Sequence, residues 1–251
     1  MFFFIRLLPV AAGLLLSSAV ASAEEVITLT SGEWLPYISE KSPHYGPISR
    51  IVSEAFALEG VRVNYVFRPW SRAYAEADTD SANGSIGWST SKRDTERNRR
   101  FYFSDTVFDG QSVFFHLKSY PFQWNSFAQL AGMRIGGTAG YEYRFDKNPQ
   151  IKIDRSAASD ELNFRKLVAG RFDLFPASLD VGQYILRNEL TPEQASLVTW
   201  NPKPYNITDY HLILNKKNAA NRRYLILFNR GLKRLKASGK YAQYMQDISI
   251  R

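Results

Sequence analysis

Two long β-rich runs, Thr106 to Leu117 and Tyr210 to Leu214, bracket a stretch that is itself patterned as alternating strands and helices. No other feature constrains the fold of this 251-residue chain as strongly. A chain that leaves one α/β unit, builds a second and then returns makes two lobes joined by two crossing strands, with a cleft between them. Clefts of that kind are where small ligands bind. The outer unit opens as strand, helix, strand. Val26 to Thr30 alternates as a half-buried strand, Ile48, Ile51, Val52, Ala55 and Phe56 recur at helical spacing until Gly60, and Val61, Val63, Tyr65 and Phe67 alternate again. Pro69 ends that strand, Ser71 to Ala77 reads as a short helix, and Ser85 to Trp88 as a third strand.

The inner unit is expected to contain a short helix at Phe127 to Leu130, strands at Met133 to Ile135, Ile151 to Ile153 and Phe172 to Phe175, and two helices. One helix is capped by Ser159 and stopped by Gly170, and the other carries Val181, Tyr184 and Ile185 after a turn at Ser178-Leu179-Asp180. A helix from Asn218 to Lys236 and a final one from Lys240 to Asp247 complete the outer unit. The expected division is residues 24–112 with 211–251 for the first lobe and 113–210 for the second.

Residues 1–23 have the composition of a cleavable export signal. Arg6 precedes an apolar run from Leu7 to Leu16, and Ala21-Ser22-Ala23 stands before Glu24. That run is too short to span a bilayer, so cleavage is favoured over an uncleaved anchor. With no cysteine there is no disulfide and no lipid-attachment thiol, and a chain of this size folds without staples. An exported protein released from the membrane is the expectation, which places it in the periplasm of a Gram-negative cell. The net charge of +8 favours anionic partners, and export makes nucleic acid a poor one.

The third strand runs into Trp88-Ser89-Thr90-Ser91-Lys92-Arg93-Asp94-Thr95-Glu96-Arg97, followed by Phe101-Tyr102-Phe103-Ser104-Asp105. An arginine held at a strand mouth matches both oxygens of a carboxylate. A solvated charge run is the plainer alternative. Together with Gly32-Glu33-Trp34-Leu35-Pro36-Tyr37, Pro69-Trp70-Ser71-Arg72-Ala73, Leu130-Ala131-Gly132, Ile135-Gly136, Ala169-Gly170-Arg171-Phe172-Asp173 and Gly239-Lys240-Tyr241, this stretch resembles the family 3 extracellular solute-binding proteins over essentially the whole mature chain. The resemblance implies a two-lobed α/β fold of the type II periplasmic-binding-protein kind. It further implies a monomeric receptor that captures an amino acid or related small carboxylate and delivers it to the membrane permease of an ABC transporter.

Carried over position by position, the resemblance makes Arg97 the carboxylate clamp. Arg93 competes for that role, because the loop between Trp88 and Arg97 is longer than the family pattern. Gly137, Thr138 and Ala139 would form a helix start that offers donors to an anion, with Tyr141 a further ligand-binding residue after it. Asp180 would receive an ammonium group, and Trp70, with Trp34 or Tyr37, would wall the pocket beside Trp88 and Ser89. Plainer roles stand next to these: a salt bridge for Arg97, a tight turn for Thr138, a helix cap for Asp180 and a core position for Trp70. No cofactor is expected. His44, His116 and His211 lack metal-ligand spacing, and neither a nucleotide-binding Gly-Lys-Ser/Thr nor a Gly-x-Ser-x-Gly elbow occurs. Two alternatives share the scaffold. One is a cyclohexadienyl-type dehydratase using Glu142 or Asp180 as its acid, and the other is a sensor module docking on a membrane receptor.

Overall fold

The computed structural model describes residues 24–89, 95–141 and 143–250. Residues 1–23, expected as an export signal, lie outside them, as do Arg93 and Glu142. In chain order the elements are β1 (Glu25–Ser31), α1 (Pro47–Ala57), β2 (Val61–Phe67), α2 (Trp70–Ala77), β3 (Gly84–Ser89), α3 (Thr95–Arg100), β4 (Phe101–Phe103) and β5 (Phe108–Leu117). Then come β6 (Ile135–Thr138), β7 (Ile153–Ala157), α4 (Asp160–Val168), β8 (Phe175–Ser178), α5 (Leu179–Asn188), α6 (Pro192–Ser196), β9 (Val198–Trp200) and β10 (Asn206–Asn215). Helices α7 (Asn221–Ala237) and α8 (Lys240–Ile250) close the chain.

The main sheet runs β2-β1-β3-β10-β5-β8, with β4 added beside β10 and β9 beside β5. Strand β1 lies parallel to β2 and β3, the arrangement that helix crossovers produce. Strands β5 and β10 are antiparallel, with Phe108 to Ser112 opposite Tyr210 to Asn206. Beyond that pairing β10 continues into the first lobe against β3 and β4, while β5 continues into the second against β8 and β9. Two α/β lobes joined by crossing strands are therefore present. The boundaries expected at 112/113 and 210/211 fall inside these two strands.

Phe103-Ser104-Asp105 is pinned to the returning strand. Ser104 N–H donates to the Leu212 carbonyl at 3.0 Å, Leu212 N–H to the Ser104 hydroxyl at 3.1 Å, and Asp105 N–H to Asn229 Oδ1 at 2.9 Å. One apolar core runs from Ile27 and Leu29 through Phe108, Val113 and Phe115 to Phe164 and Phe175, so it is continuous across the lobes. A second, mainly aromatic core in the second lobe gathers Phe114, Trp124, Phe145 and Tyr205. Arg230 and Arg234 of α7 both pair with Glu59, just past α1, and those two cations hold its carboxyl below the usual range.

Several second-lobe elements start later than expected. The strands expected at 133–135, 151–153 and 172–175 are found at Ile135–Thr138, Ile153–Ala157 and Phe175–Ser178. Gly136 and Gly137, the second of them expected at a helix start, are strand residues. A Cβ on Gly136 would lie 2.4 Å from the Phe172 ring, and one on Gly137 would lie 2.5 Å from Ile153. Close packing, not a bend, explains those glycines. No helix begins at 137–139, and α5 begins at Leu179, which puts Asp180 inside its first turn. Four elements, α3, β4, α6 and β9, are short enough to escape periodicity.

The α1–α7 contact rests on a missing side chain. A Cβ on Gly231 would sit 1.9 Å from the Ala55 carbonyl oxygen. Glycine to alanine in a helix normally gains up to about 1 kcal/mol, whereas forcing two rigid backbones apart costs about 1–3 kcal/mol. The clash should win. Gly231→Ala is expected to lower the melting temperature by about 2–8 °C in a calorimetric scan, and an unchanged or higher value would show that the helices can separate freely.

Candidate functional site

The first lobe contributes the end of β3 and the start of α2. Trp88 is anchored from behind: its indole N–H donates to Ser85 Oγ at 2.7 Å, and that hydroxyl donates to the Thr30 carbonyl at 2.8 Å. Trp70 meets Trp88 edge-on at 5.4 Å between ring centroids and Trp34 at 6.4 Å, and its indole N–H donates to the Glu33 carbonyl at 3.1 Å. Two glycines make room for these rings. A Cβ on Gly32 would lie 2.6 Å from the Trp70 indole, and Gly87, at φ +83°, allows the chain to pass beneath Trp34 and Trp70.

The crossing strand β10 forms the floor. Asn206, Thr208 and Tyr210 alternate onto one face and line the cleft with Ser112 of β5. Tyr210 stacks on Phe108 at 4.9 Å and meets Trp34 edge-on at 4.8 Å. From the second lobe come Tyr141, Tyr143, Arg144, Asp160, Pro176, Ala177, Ser178 and Tyr205. The enclosed space is about 740 Å³, the size of a small-molecule site. A shallower depression of about 300 Å³ lies along α4, but Lys166 and Arg165 on its rim are already paired with Asp154 and Glu161.

The expected site residues divide. Trp34, Trp70, Trp88, Ser89 and Tyr141 line the cleft. Tyr37 does not: it is 0 % exposed, and its hydroxyl donates to Asp180 Oδ2 at 2.9 Å, crossing between the lobes. Burial first, and then the Asp180 charge, raise the Tyr37 phenol well above its ordinary range. Asp180 is thus a partner of the first lobe and neither a cleft residue nor a helix cap; Ser178 occupies the cap position. Arg97 lies against the Trp88 ring at 5.1 Å and the Tyr74 ring at 5.3 Å, and it donates to the Ser89 carbonyl at 3.1 Å. It is not among the described residues that line the cleft. Thr138 is 2 % exposed, with its N–H donating to the Tyr143 hydroxyl at 2.8 Å, while Ala139 N–H donates to the Ala157 carbonyl at 2.9 Å. Those donors are spent inside the lobe. Gly137 is buried between Ile153 and Tyr143.

Among the described residues, the charged groups that do line the cleft are Arg144 and Asp160. They do not pair with each other. Arg144 is exposed, in the turn after β6, with its guanidinium over Phe127 at 5.9 Å. Asp160 opens α4, and its Oδ1 accepts from the Thr138 hydroxyl, which in turn accepts from Asn163 Nδ2 at 3.0 Å. The second carboxylate oxygen has no protein partner among the described residues. Enclosure by the cleft walls raises the Asp160 carboxyl to about 6, against the opposing pull of the Thr138 hydrogen bond. Asp160 and Arg144 carry no periodic or motif signal. The period of two along Asn206, Thr208 and Tyr210 was available to find the floor.

No protein-family model matches the chain, and no curated protein matches it in sequence. Solved structures do match in shape. A mutant of ArgBP from T. maritima superposes with a TM-score of 0.69 at 19% identity, covering 91% of this chain and 96% of that one. The amino acid ABC transporter substrate-binding protein AbpA from Streptococcus pneumoniae, bound to L-arginine, gives 0.68 at 16% identity, covering 90% and 94%. A histidine kinase sensor domain with similarity to periplasmic binding proteins gives 0.69 at 17% identity, covering 89% and 96%. The fold is that of the type II periplasmic binding proteins.

Asp160 makes stability depend on pH in a direction opposite to that of a salt-bridged acid. Its folded value lies above the ordinary one near 4, so between about pH 4 and pH 6 the native state holds a proton that the unfolded chain has lost, and stability falls as pH rises. Asp160→Asn removes the enclosed charge and keeps an oxygen for Thr138. Discounted for water in the open cleft, the gain at about pH 8 is on the order of 1–2 kcal/mol, or about 2–6 °C, and it vanishes near pH 4. Scanning fluorimetry of the ligand-free protein at both pH values checks this; an equal shift at both would remove the charge as the cause.

Proposed function

We propose that this chain is an exported solute-binding protein of the periplasm. It closes its lobes, as a monomer, over an amino acid or related small carboxylate and releases that solute unchanged to the membrane permease of an ABC transporter. The observation that carries the proposal is the cleft itself, about 740 Å³, walled by both lobes and floored by the strands that join them. A ligand there touches both lobes at once, so binding energy favours the closed arrangement, the form a partner can recognise. The fold shared with AbpA supports the assignment.

Within the cleft, Arg144 is the cation placed to meet a carboxylate, in place of Arg97. A second-lobe cation can do the same chemistry, because the bidentate fork is what matters and not the lobe that supplies it. The likeness to a histidine kinase sensor domain favours one further role, a ligand-sensing module that docks on a membrane receptor. Capture of a permease or of a receptor kinase from membranes separates transport from sensing.

The direct test is native mass spectrometry of the purified protein, followed by a thermal-shift panel of amino acids and organic acids. A bound small molecule released on denaturation is expected; failure to bind any solute would sink the assignment. Arg144→Gln should weaken a carboxylate ligand by about 5- to 30-fold, about 1–2 kcal/mol, with a much smaller effect of Arg97→Gln. A larger loss at Arg97 would return the clamp to the first lobe. Incubation with cyclohexadienyl acids should yield no aromatic product.

A further inference from the structure

If the cleft is a solute site, its chemistry says more than that the solute is a small acid. Asp160 is a half-buried carboxylate of the cleft wall, with one oxygen held by the Thr138 hydroxyl. Arg144, the cation that shares the cavity, does not pair with it. Three tyrosines, Tyr141, Tyr143 and Tyr205, line the same cavity from the second lobe. Across the cavity lie Trp34, Trp70, Trp88 and Tyr210. A carboxylate without a paired cation in a cleft lined by aromatic side chains is a poor seat for an anion and a good one for a positive charge.

We infer that the cleft selects a solute bearing a diffuse organic cation, a guanidinium or an alkylated ammonium, which sits on Asp160 between the aromatic rings. The kind of cation follows from hydration. A bare primary ammonium is a strongly hydrated point charge that gives up water only where several acceptors converge on it. A guanidinium or alkylated ammonium sheds water more readily and is attracted to ring faces. Arg144, unpaired with Asp160 in the same cavity, is left to meet an anionic group at the solute's other end. The net positive charge of the whole chain bears on long-range encounter, whereas the site is read at contact distance.

This inference rests on the solute-binding assignment, and the experiment separates the two. Binding is followed by tryptophan fluorescence and calorimetry, with L-arginine, agmatine, choline and glycine betaine set against L-glutamine, L-glutamate and succinate. The tightest ligand is expected in the first group. Asp160→Asn should weaken it at least about tenfold while the far-ultraviolet spectrum and melting temperature show an intact fold. Tyr141→Leu keeps an apolar side chain at a position 48 % exposed and should cost about three- to tenfold for the same ligand. Tightest binding of L-glutamine, L-glutamate or succinate overturns the inference and leaves the solute-binding assignment standing, as does a cationic ligand whose affinity neither substitution changes. No binding of any solute overturns both.

Discussion

The antiparallel pairing of Phe108 to Ser112 with Tyr210 to Asn206 is the constraint on which the rest depends. Each strand belongs to both lobes, so the hydrogen bonds that join the domains also fix the level of the cleft floor. The pleat of β10 sends Asn206, Thr208 and Tyr210 to one face, and the pairing register fixes where along the cleft they stand. Slippage by one residue would turn those three side chains away and present Ile207 and Asp209 instead. The register is held by tertiary contacts at one end, where Ser104 exchanges hydrogen bonds with Leu212.

The outer lobe was legible in the sequence because its elements are long and bounded by strong punctuation. The strand at 61–67, enclosed by Gly60 and Pro69, and the helix stopped at Gly60 follow from local pattern alone. The inner lobe was harder because packing overrides local preference there. Gly136-Gly137 looks like a turn in one dimension and is a strand in three, since Phe172 and Ile153 occupy the space their side chains would need. In the site, the aromatics near strand ends could be named from punctuation, as with Trp34, Trp70 and Trp88. Tyr37 could not be told from them, because whether a ring faces the cleft or the core depends on what packs above it. Asp160 reads as an ordinary acid in a helix's first turn, and only the placement of α4 beside the cavity makes it a cleft carboxylate.

Stability and recognition pull apart at that residue. An acid kept from water without a cation raises the energy of the empty protein, a cost that natural sequences accept where it sharpens a site. Gly32 and Gly87 express the same priority in the backbone, giving up side chains so that Trp70 can seat. The first lobe supplies rigid surface, with Trp88 braced by Ser85 and flanked by Arg97, and the second lobe supplies charge.

The bond from Tyr37 to Asp180 gives the two-lobed arrangement a latch that no ligand has to supply. Its donor is buried with α5 in place, so water does not compete for the hydrogen bond while the lobes stay together. Any swing that carries α5 away must therefore leave a phenol unsatisfied at the moment of parting. Residues 37 and 180 therefore set part of the cost of any parting of the lobes, through a contact that lies outside the cleft lining.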